Sequence, residues 1–351
     1  MPQKRLAQFD VGRCLCNFMV VFLHSSAATQ YCEVGSAEGT FWRVLRGLAG
    51  IAMPALFFIS GYFMEAGYTR ERYPGQMWRR VKRLLVPFVA WNILFAVIYL
   101  LAAPHVPRLA ERVWQFKLDT LGGFVSKTAG LMAAPLDGPL WFMRYIFALA
   151  LVFPVFDAAL KHWRGAPAAV IVAGYFAAIH AFGWEGATSL SYPPYGMAMF
   201  ILGAWFRARQ IDIPQFVAAH AKGACVIAAL CITYVCATRI AGVEEPYWVR
   251  QAMTLPQVAT AMAMAVVLTP FLAERAVFKH LQKISFFAYC GHFLFCGMLM
   301  HSLAPLLGGV GTGKETLLVL AFMAGVPLMA GVHFAWERLP GKTVRIFDGT
   351  L

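Results

Sequence analysis

The chain of 351 residues is 60% hydrophobic and only 13% charged, and its mean hydropathy is +0.62. A soluble globular domain normally carries about twice that share of charge, so the composition excludes a soluble domain and indicates an integral membrane protein. The net charge of +13 is scattered among loops and forms no separate basic domain, which argues against nucleic-acid binding.

Apolar segments long enough to cross about 30 Å of hydrocarbon recur along the whole chain. We therefore predict an all-α, polytopic integral membrane helical bundle with about ten transmembrane helices. The predicted spans are 11–28, 47–65, 84–103, 139–160, 166–184, 195–209, 219–240, 251–273, 284–305 and 315–336. No linker or internal repeat divides them, so residues 1–351 are predicted to form a single transmembrane domain without an additional soluble domain.

The basic residues predict the orientation, because cytoplasmic loops are enriched in Lys and Arg. A cytoplasmic N-terminus places the larger share of them on the cytoplasmic side, and an even number of spans then places both termini there. The first span also has the order of a signal peptide, with Ser26 and Ala28 spaced like a cleavage site. Cleavage would discard the ionisable residues of this span, so we predict that it is retained.

Those ionisable residues are Arg13 and His24, eleven positions apart inside the first span. Charge within a membrane is costly enough to indicate a functional residue. Eleven residues turn an α-helix by about three turns plus roughly 20° and rise roughly 16 Å, so both side chains point the same way at different depths. Such a pair can hold a long polar molecule by its charged end and present a base to its reactive end. In the alternative interpretation, Arg13 snorkels to lipid headgroups and His24 bonds a neighbouring helix.

A cluster of basic residues lies at the start of the third span. It consists of Arg79, Arg80, Lys82 and Arg83. Arg80 and Arg83 are three positions apart, so on a regular helix they share a face and can address one phosphate group. An ordinary positive-inside anchor is the alternative. Arg13, predicted near the same membrane face, favours a shared anionic ligand.

Two later spans carry further candidates. Arg144 lies near the start of the fourth span, where a charge must find water, a partner or a substrate. Trp141 beside it is either an interfacial belt residue or a platform on which a sugar ring stacks. His292, with Tyr289 three positions before it, lies inside the ninth span, where a helix–helix hydrogen bond is the alternative use. His301 lies on a different helix face from His292, so we predict no metal site.

The segment Gly308–Glu315, with the sequence GGVGTGKE, nearly completes a phosphate-binding loop. Glu315 stands where that loop requires Ser or Thr, so we predict a flexible external loop instead. The eight cysteines predict no disulfide framework, because most of them lie in apolar spans, where Cys behaves as a small hydrophobic residue.

Taken together and in order, these elements resemble the acyltransferase-3 family of multispanning membrane enzymes. The segments that carry the resemblance are Arg13 with His24 (R-x10-H), Phe57–Met64 (FFISGYFM, an SGY-type segment), Arg80 with Arg83 (the arginine motif, before LLVPF), Gly138–Phe147 (GPLWFMRYIF, a Trp-Phe segment) and Phe286–Phe295 (FFAYCGHFLF, a late aromatic and His segment). The last segment departs from the commoner family pattern in having Cys290 and Gly291 before His292.

The resemblance implies acyl transfer, most often of acetyl, from cytoplasmic acyl-CoA to a hydroxyl of a cell-surface or lipid-linked carbohydrate. The roles expected on this basis are catalysis by His24, as general base or acyl carrier, and Arg13; CoA binding by Arg79, Arg80 and Arg83; and acceptor binding by Trp141, Arg144, Tyr289 and His292. The expected partners are acetyl-CoA or another acyl-CoA, a carbohydrate and membrane lipids, with no metal and no nucleic acid, in a bacterial inner membrane. A transporter or flippase for a lipid-linked sugar or a small anion is the alternative.

Overall fold

The computed structural model describes residues 7–31, 36–105, 107–130, 135–162, 165–183, 193–304, 306, 314–339 and 343–350. All regular structure within these residues is helical, as the sequence predicts. The helices of the first half are α1 (Ala7–Leu23), α2 (Ala37–Ala49), α3 (Ala52–Gly67), α4 (Tyr73–Arg80), α5 (Val86–Ala102), α6 (Pro107–Phe116), α7 (Leu121–Ala129), α8 (Trp141–Leu151) and α9 (Phe153–Lys161). Those of the second half are α10 (Ala166–Ala181), α11 (Pro194–Ala208), α12 (Ile213–Ala219), α13 (Ala221–Ala241), α14 (Tyr247–Ala252), α15 (Thr254–Leu272), α16 (Ala276–Leu303), α17 (Glu315–Glu337) and α18 (Val344–Phe347).

In the described part of the chain, seven helical segments are long and apolar enough to cross a membrane. An eighth is a pair of helices, Gly138–Leu151 and Phe153–Lys161, bent by 56° where they meet. The helices α10 and α11 lie at the fifth and sixth predicted spans, but with 16 and 15 residues they are shorter than the roughly 20 residues that an untilted membrane span needs. The structure thus confirms a polytopic helical membrane protein, and the count of ten spans stays a prediction.

A π-helical turn, Val81–Leu85, joins α4 to α5 within the arginine cluster. Pro87 accounts for it, because a proline inside a helix lacks an N–H and its ring clashes with the carbonyl four residues earlier. The backbone adjusts by bonding the Val86 N–H to the Val81 carbonyl, five residues back. Such widened turns are rare and frequently lie at functional sites.

Two glycines allow α3 and α11 to pack backbone against backbone. A Cβ atom at Gly61 would overlap the carbonyl of Phe200, and one at Gly203 would overlap the carbonyl of Phe58. Small residues at such positions are the usual means of close helix packing in membranes, where apolar burial alone gives little drive for association. Gly61 of the SGY-type segment therefore has a structural role.

The near-complete phosphate-binding loop lies mostly outside the described residues, since Gly308 to Gly313 are not among them. Glu315, which breaks that motif, begins α17 and forms a buried ion pair with Arg46 of α2, with 2.7 Å between Nη2 and Oε1. Cys32 also lies outside the described residues, and the seven described cysteines are free thiols.

Candidate active site

Two histidines from distant parts of the chain meet in the bundle because α1 packs along α16. His24, the first residue of the 3-10 segment His24–Tyr31 that continues α1, places its ring centroid 4.8 Å from that of His292. The structure therefore brings together two residues that the sequence identified separately.

Each of these rings is held by its Nδ1 atom. The Nδ1 of His24 lies 2.8 Å from the carbonyl oxygen of Val20, and the Nδ1 of His292 lies 2.7 Å from that of Tyr289. A carbonyl can only accept a hydrogen bond, so both Nδ1 atoms carry the proton. In the neutral rings, Nε2 is then the basic nitrogen of each.

Several buried polar atoms in this part of the bundle have no hydrogen-bond partner among the described residues. They are Nε2 of His292, Oγ of Ser25, which follows His24 in the chain, and both carboxyl oxygens of Asp137, which lies near Tyr289 and Cys290. Buried polar groups are nearly always bonded, so a group of exceptions needs an explanation. A polar substrate that enters the bundle here would supply the missing partners.

The loop before α8 forms one wall of this region. The backbone N–H of Asp137 donates to Oδ1 of Asn92 at 2.9 Å, and Nδ2 of Asn92 donates to the Phe88 carbonyl of its own helix, α5. Tyr289 donates its hydroxyl proton to the Pro139 carbonyl at 2.6 Å. Irregular backbone is tolerated at membrane depth only where protein surrounds it or where it lines a cavity. The loop is therefore fixed to both α5 and α16.

The two residues that depart from the commoner family pattern, Cys290 and Gly291, have packing roles. A Cβ atom at Gly291 would lie 2.7 Å from the ring of Trp91, so glycine is needed for that indole to fit. The Cys290 thiol contacts the sulfur of Met143 at 3.7 Å. These contacts set α16 close to α5 and α8, and thereby set the position of His292.

A second cluster lies beside the N-terminal half of α1. The guanidinium of Arg13 lies 4.4 Å from the ring centroid of Phe63, and Nη2 of Arg80 lies 2.8 Å from the sulfur of Met64. Arg80 is close enough to Arg13 and Arg83 for their positive charges to act on it. Three predicted donor-site residues therefore come together at the predicted cytoplasmic end of the bundle.

Within that cluster the arginines differ in exposure. Arg80 is partly buried, whereas Arg79 and Arg83 are exposed. The prediction of a shared face for Arg80 and Arg83 assumed a regular helix, and the π-helical turn between them changes their relative direction. Arg80 is thus the member of the pair placed beside Arg13.

The candidate acceptor residues on α8 lie next to α16. Trp141 is partly buried, with its ring centroid 6.0 Å from that of Phe57, and Arg144 is completely buried. The ring of Phe142, between them in the sequence, lies 6.2 Å from that of Tyr289. Tyr289 therefore connects the aromatic face of α8 to the histidine pair.

Sequence reasoning missed three residues of the site: Ser25, Asn92 and Asp137. Asp137 lies two residues before the predicted span 139–160, outside every predicted span, yet it is fully buried. The sequence did offer a signal for Asp137, since it is an acidic residue close to the start of an apolar segment. Asn92 inside the third span offered a similar signal, because polar side chains are costly in lipid.

A comparison with protein families supplies the identity. The family profile described as an acyltransferase domain matches residues 6–335, nearly the whole chain. The chain belongs to the acyltransferase-3 family. This confirms the resemblance seen in the sequence and makes the protein a multi-pass membrane acyltransferase. Comparisons with curated proteins and with solved structures find no match.

Proposed function

We propose that this acyltransferase moves an acyl group, most often acetyl, from cytoplasmic acyl-CoA to a hydroxyl of a cell-surface or lipid-linked carbohydrate. Its expected location is the bacterial inner membrane. The observation that supports the proposal best is the buried pair of His24 and His292, with both Nδ1 atoms bonded to carbonyls. This arrangement leaves two basic nitrogens beside unsatisfied polar groups.

In the proposed reaction, Nε2 of His24 removes the proton of the acceptor hydroxyl as its oxygen attacks the thioester carbonyl. A carbon–oxygen bond forms, the carbon–sulfur bond breaks, and the proton passes from His24 to the departing CoA sulfur. General base catalysis of this kind typically contributes about 10² to 10⁴-fold. Transfer through an acyl-His24 intermediate is the covalent alternative within the same proposal.

His292 and Tyr289 then orient the acceptor. The Nε2 of His292 is buried and has no hydrogen-bond partner among the described residues, so it is suited to accept a hydrogen bond from a second sugar hydroxyl. Trp141 and Arg144 are proposed to contribute acceptor contacts from α8, with Trp141 as a stacking surface.

The donor is proposed to bind at the arginine cluster. Guanidinium groups of Arg80, Arg83 and Arg79 would bind CoA phosphates, since their planar forks match phosphate oxygens, and Arg13 would bind a further phosphate or orient the pantetheine arm. On a regular α-helix, Arg13 and His24 are roughly 16 Å apart along the axis. A flexible pantetheine arm can bridge such a separation and deliver the thioester to His24.

The test is transfer of label from acetyl-CoA to host surface glycan by the purified protein. The proposal predicts transfer that depends strictly on a CoA ester, and an acylation mark on the glycan, detected by mass spectrometry, that disappears when this gene is removed. Flux of a lipid-linked sugar or an anion in proteoliposomes without any CoA ester would instead indicate a transporter.

A further inference from the structure

A pocket of about 350 Å³ opens at the end of α1 that carries His24. Leu23 and Ser26 form part of its wall, whereas the ring of His24 lies against His292. The other side chains that matter here are the arginines that line it, namely Arg43, Arg46, Arg239 and Arg250. The proposed donor and transfer residues use none of these arginines.

Positive charge predominates in the pocket. Among the described residues that line it, the four arginines face one carboxylate, that of Glu245, which lies 3.7 Å from Nη2 of Arg239. Arg46 is paired outside the lining with Glu315. Even with both carboxylates counted, the guanidinium groups are in excess, and an anion placed here would be stabilised.

Arg46 gives an independent indication of a ligand. Its side chain is only 8% exposed, and its Nη1 atom is buried with no hydrogen-bond partner in the described part of the chain. A guanidinium has five donors in a rigid fork, and leaving one of them buried and unbonded is costly. Arg46 also lines the pocket, so a small shift of its guanidinium toward the pocket would bring this donor to an anionic oxygen bound there.

The location of the pocket excludes the ordinary explanation for clustered arginines. Arg43 and Arg46 lie near the start of the second span and Arg239 near the end of the seventh, which the predicted orientation places on the extracytoplasmic side. Positive-inside sorting depletes that side of Lys and Arg, so it does not account for four arginines at one pocket.

We propose that this pocket binds an anionic group, phosphate or carboxylate, of the carbohydrate acceptor, and that binding there holds the acceptor at the end of α1 that carries His24. The carbohydrate nature of the acceptor rests on the proposed function; the preference for an anion rests on the pocket alone. The enzyme would thus select sugars that carry a phosphate or an acidic group. Neutral sugars would lack the contact that positions them.

The direct test is binding of three small probes to the purified full-length protein by titration calorimetry, without CoA. The probes are glucose 1-phosphate, methyl glucuronide and the neutral methyl glucoside. We expect one anionic probe or both to bind at least about tenfold more tightly than the neutral one, as charge-assisted bonds allow. The tighter of the two anions then identifies the acceptor group as phosphate or carboxylate. Equal binding of all three probes would overturn the proposal.

Arginine variants test whether the anionic probe binds in this pocket. Arg43→Gln and Arg250→Gln should each weaken the anionic probe about tenfold and leave the neutral probe unchanged, because each removes one charged contact. Arg43→Lys, which keeps the charge, should retain part of the affinity. Arg275→Gln is the matched control, since it removes an exposed arginine at the start of α16. Unchanged affinity in both Gln variants would contradict the assignment.

Measurements of anion binding and of acyl transfer distinguish a failure of this inference from a failure of the proposed function. If anion binding depends on Arg43 and Arg250 but no CoA-dependent transfer occurs, the proposed function fails and the pocket assignment stands. If transfer occurs with the same KM for charged and neutral acceptors in wild type and variants, the pocket assignment fails and the proposed function stands.

Discussion

At the residue scale, both site histidines use the same nitrogen, Nδ1, to bond the carbonyl of their own helix. Two substitutions separate the roles of the two ring nitrogens. An Asn side chain places its amide group near the position of Nδ1 and can keep the bond to the carbonyl, whereas a Gln side chain places its amide group near the position of Nε2. Substitution can therefore distinguish a structural histidine from one that acts on the substrate.

We predict that His292→Asn keeps the protein folded but lowers acyl transfer on the order of 10²-fold, because the group at Nε2 is lost. His292→Gln should retain more activity than His292→Asn. The measurement is the initial rate of label transfer, with thermal stability of the purified variants as the control. Wild-type rates in His292→Asn would show that His292 only bonds its own helix.

A second residue-scale prediction concerns Asp137. Asp137→Asn preserves the size of the side chain and the backbone bond to Asn92, but an amide cannot exchange a proton as a carboxyl can. We expect transfer to fall at least about tenfold. We expect no loss of thermal stability, because the two carboxyl oxygens have no hydrogen-bond partner among the described residues. Unchanged activity together with lower stability would indicate a purely structural residue.

Arg13 and His24 could be predicted as candidate site residues because an ionisable side chain stands out in an apolar segment. Asp137 could not, since its burial results from a loop that α5 and α16 hold between them. The contact of His24 with His292 also depends on how two distant helices pack, which local periodicity does not specify.

At the element scale, the π-helical turn distinguishes the two arginines of the RxxR motif. Arg80 is partly buried beside Arg13, and Arg83 is exposed. We predict that Arg80→Lys weakens CoA binding about tenfold, because a Lys ammonium loses the forked contact with phosphate. Arg83→Lys should cost less than about fivefold, as expected for an exposed ionic contact.

A CoA titration on both single variants and on the double-Lys and double-Ala proteins measures these effects. The double-Ala protein should bind CoA more weakly than the double-Lys protein. Equal affinity in wild type and double-Lys would reduce the arginine motif to a topology signal, since positive-inside sorting treats Lys and Arg alike.

The contact between α3 and α11 gives a stability prediction. Gly61→Ala places a methyl group against the backbone carbonyl of Phe200, which cannot move away as a flexible side chain would. We expect a loss of about 1 to 3 kcal/mol, the usual cost of overpacking. Gly174→Ala is the matched control, because a Cβ atom there has no neighbour within 4 Å. A similar change in unfolding temperature for both variants would contradict this account of the packing.

At the scale of the whole molecule, hydrophobic segments predict the helices well, because length and apolar composition are what a membrane span requires. The predicted span 315–336, for example, corresponds to Glu315–Glu337. The bend of 56° in the fourth predicted span did not show in the hydropathy pattern, because both halves of the bent segment are apolar. Pro154, at the start of α9, accompanies that bend.

The whole bundle places the arginine cluster beside the N-terminal half of α1, and the histidine pair and the basic pocket at its C-terminal end. The proposed donor binding and the proposed acyl transfer therefore use different regions along one helix. A variant that changes only one of these two regions should therefore affect either CoA binding or acyl transfer, but not both.

The most direct measurement compares CoA binding and single-turnover acyl transfer in wild type and His24→Ala. We predict that CoA affinity is retained, because the arginine cluster is untouched, and that transfer falls by about 10² to 10⁴-fold. Transfer at the wild-type rate by folded His24→Ala protein that still binds CoA would contradict the central claim that His24 carries out the reaction.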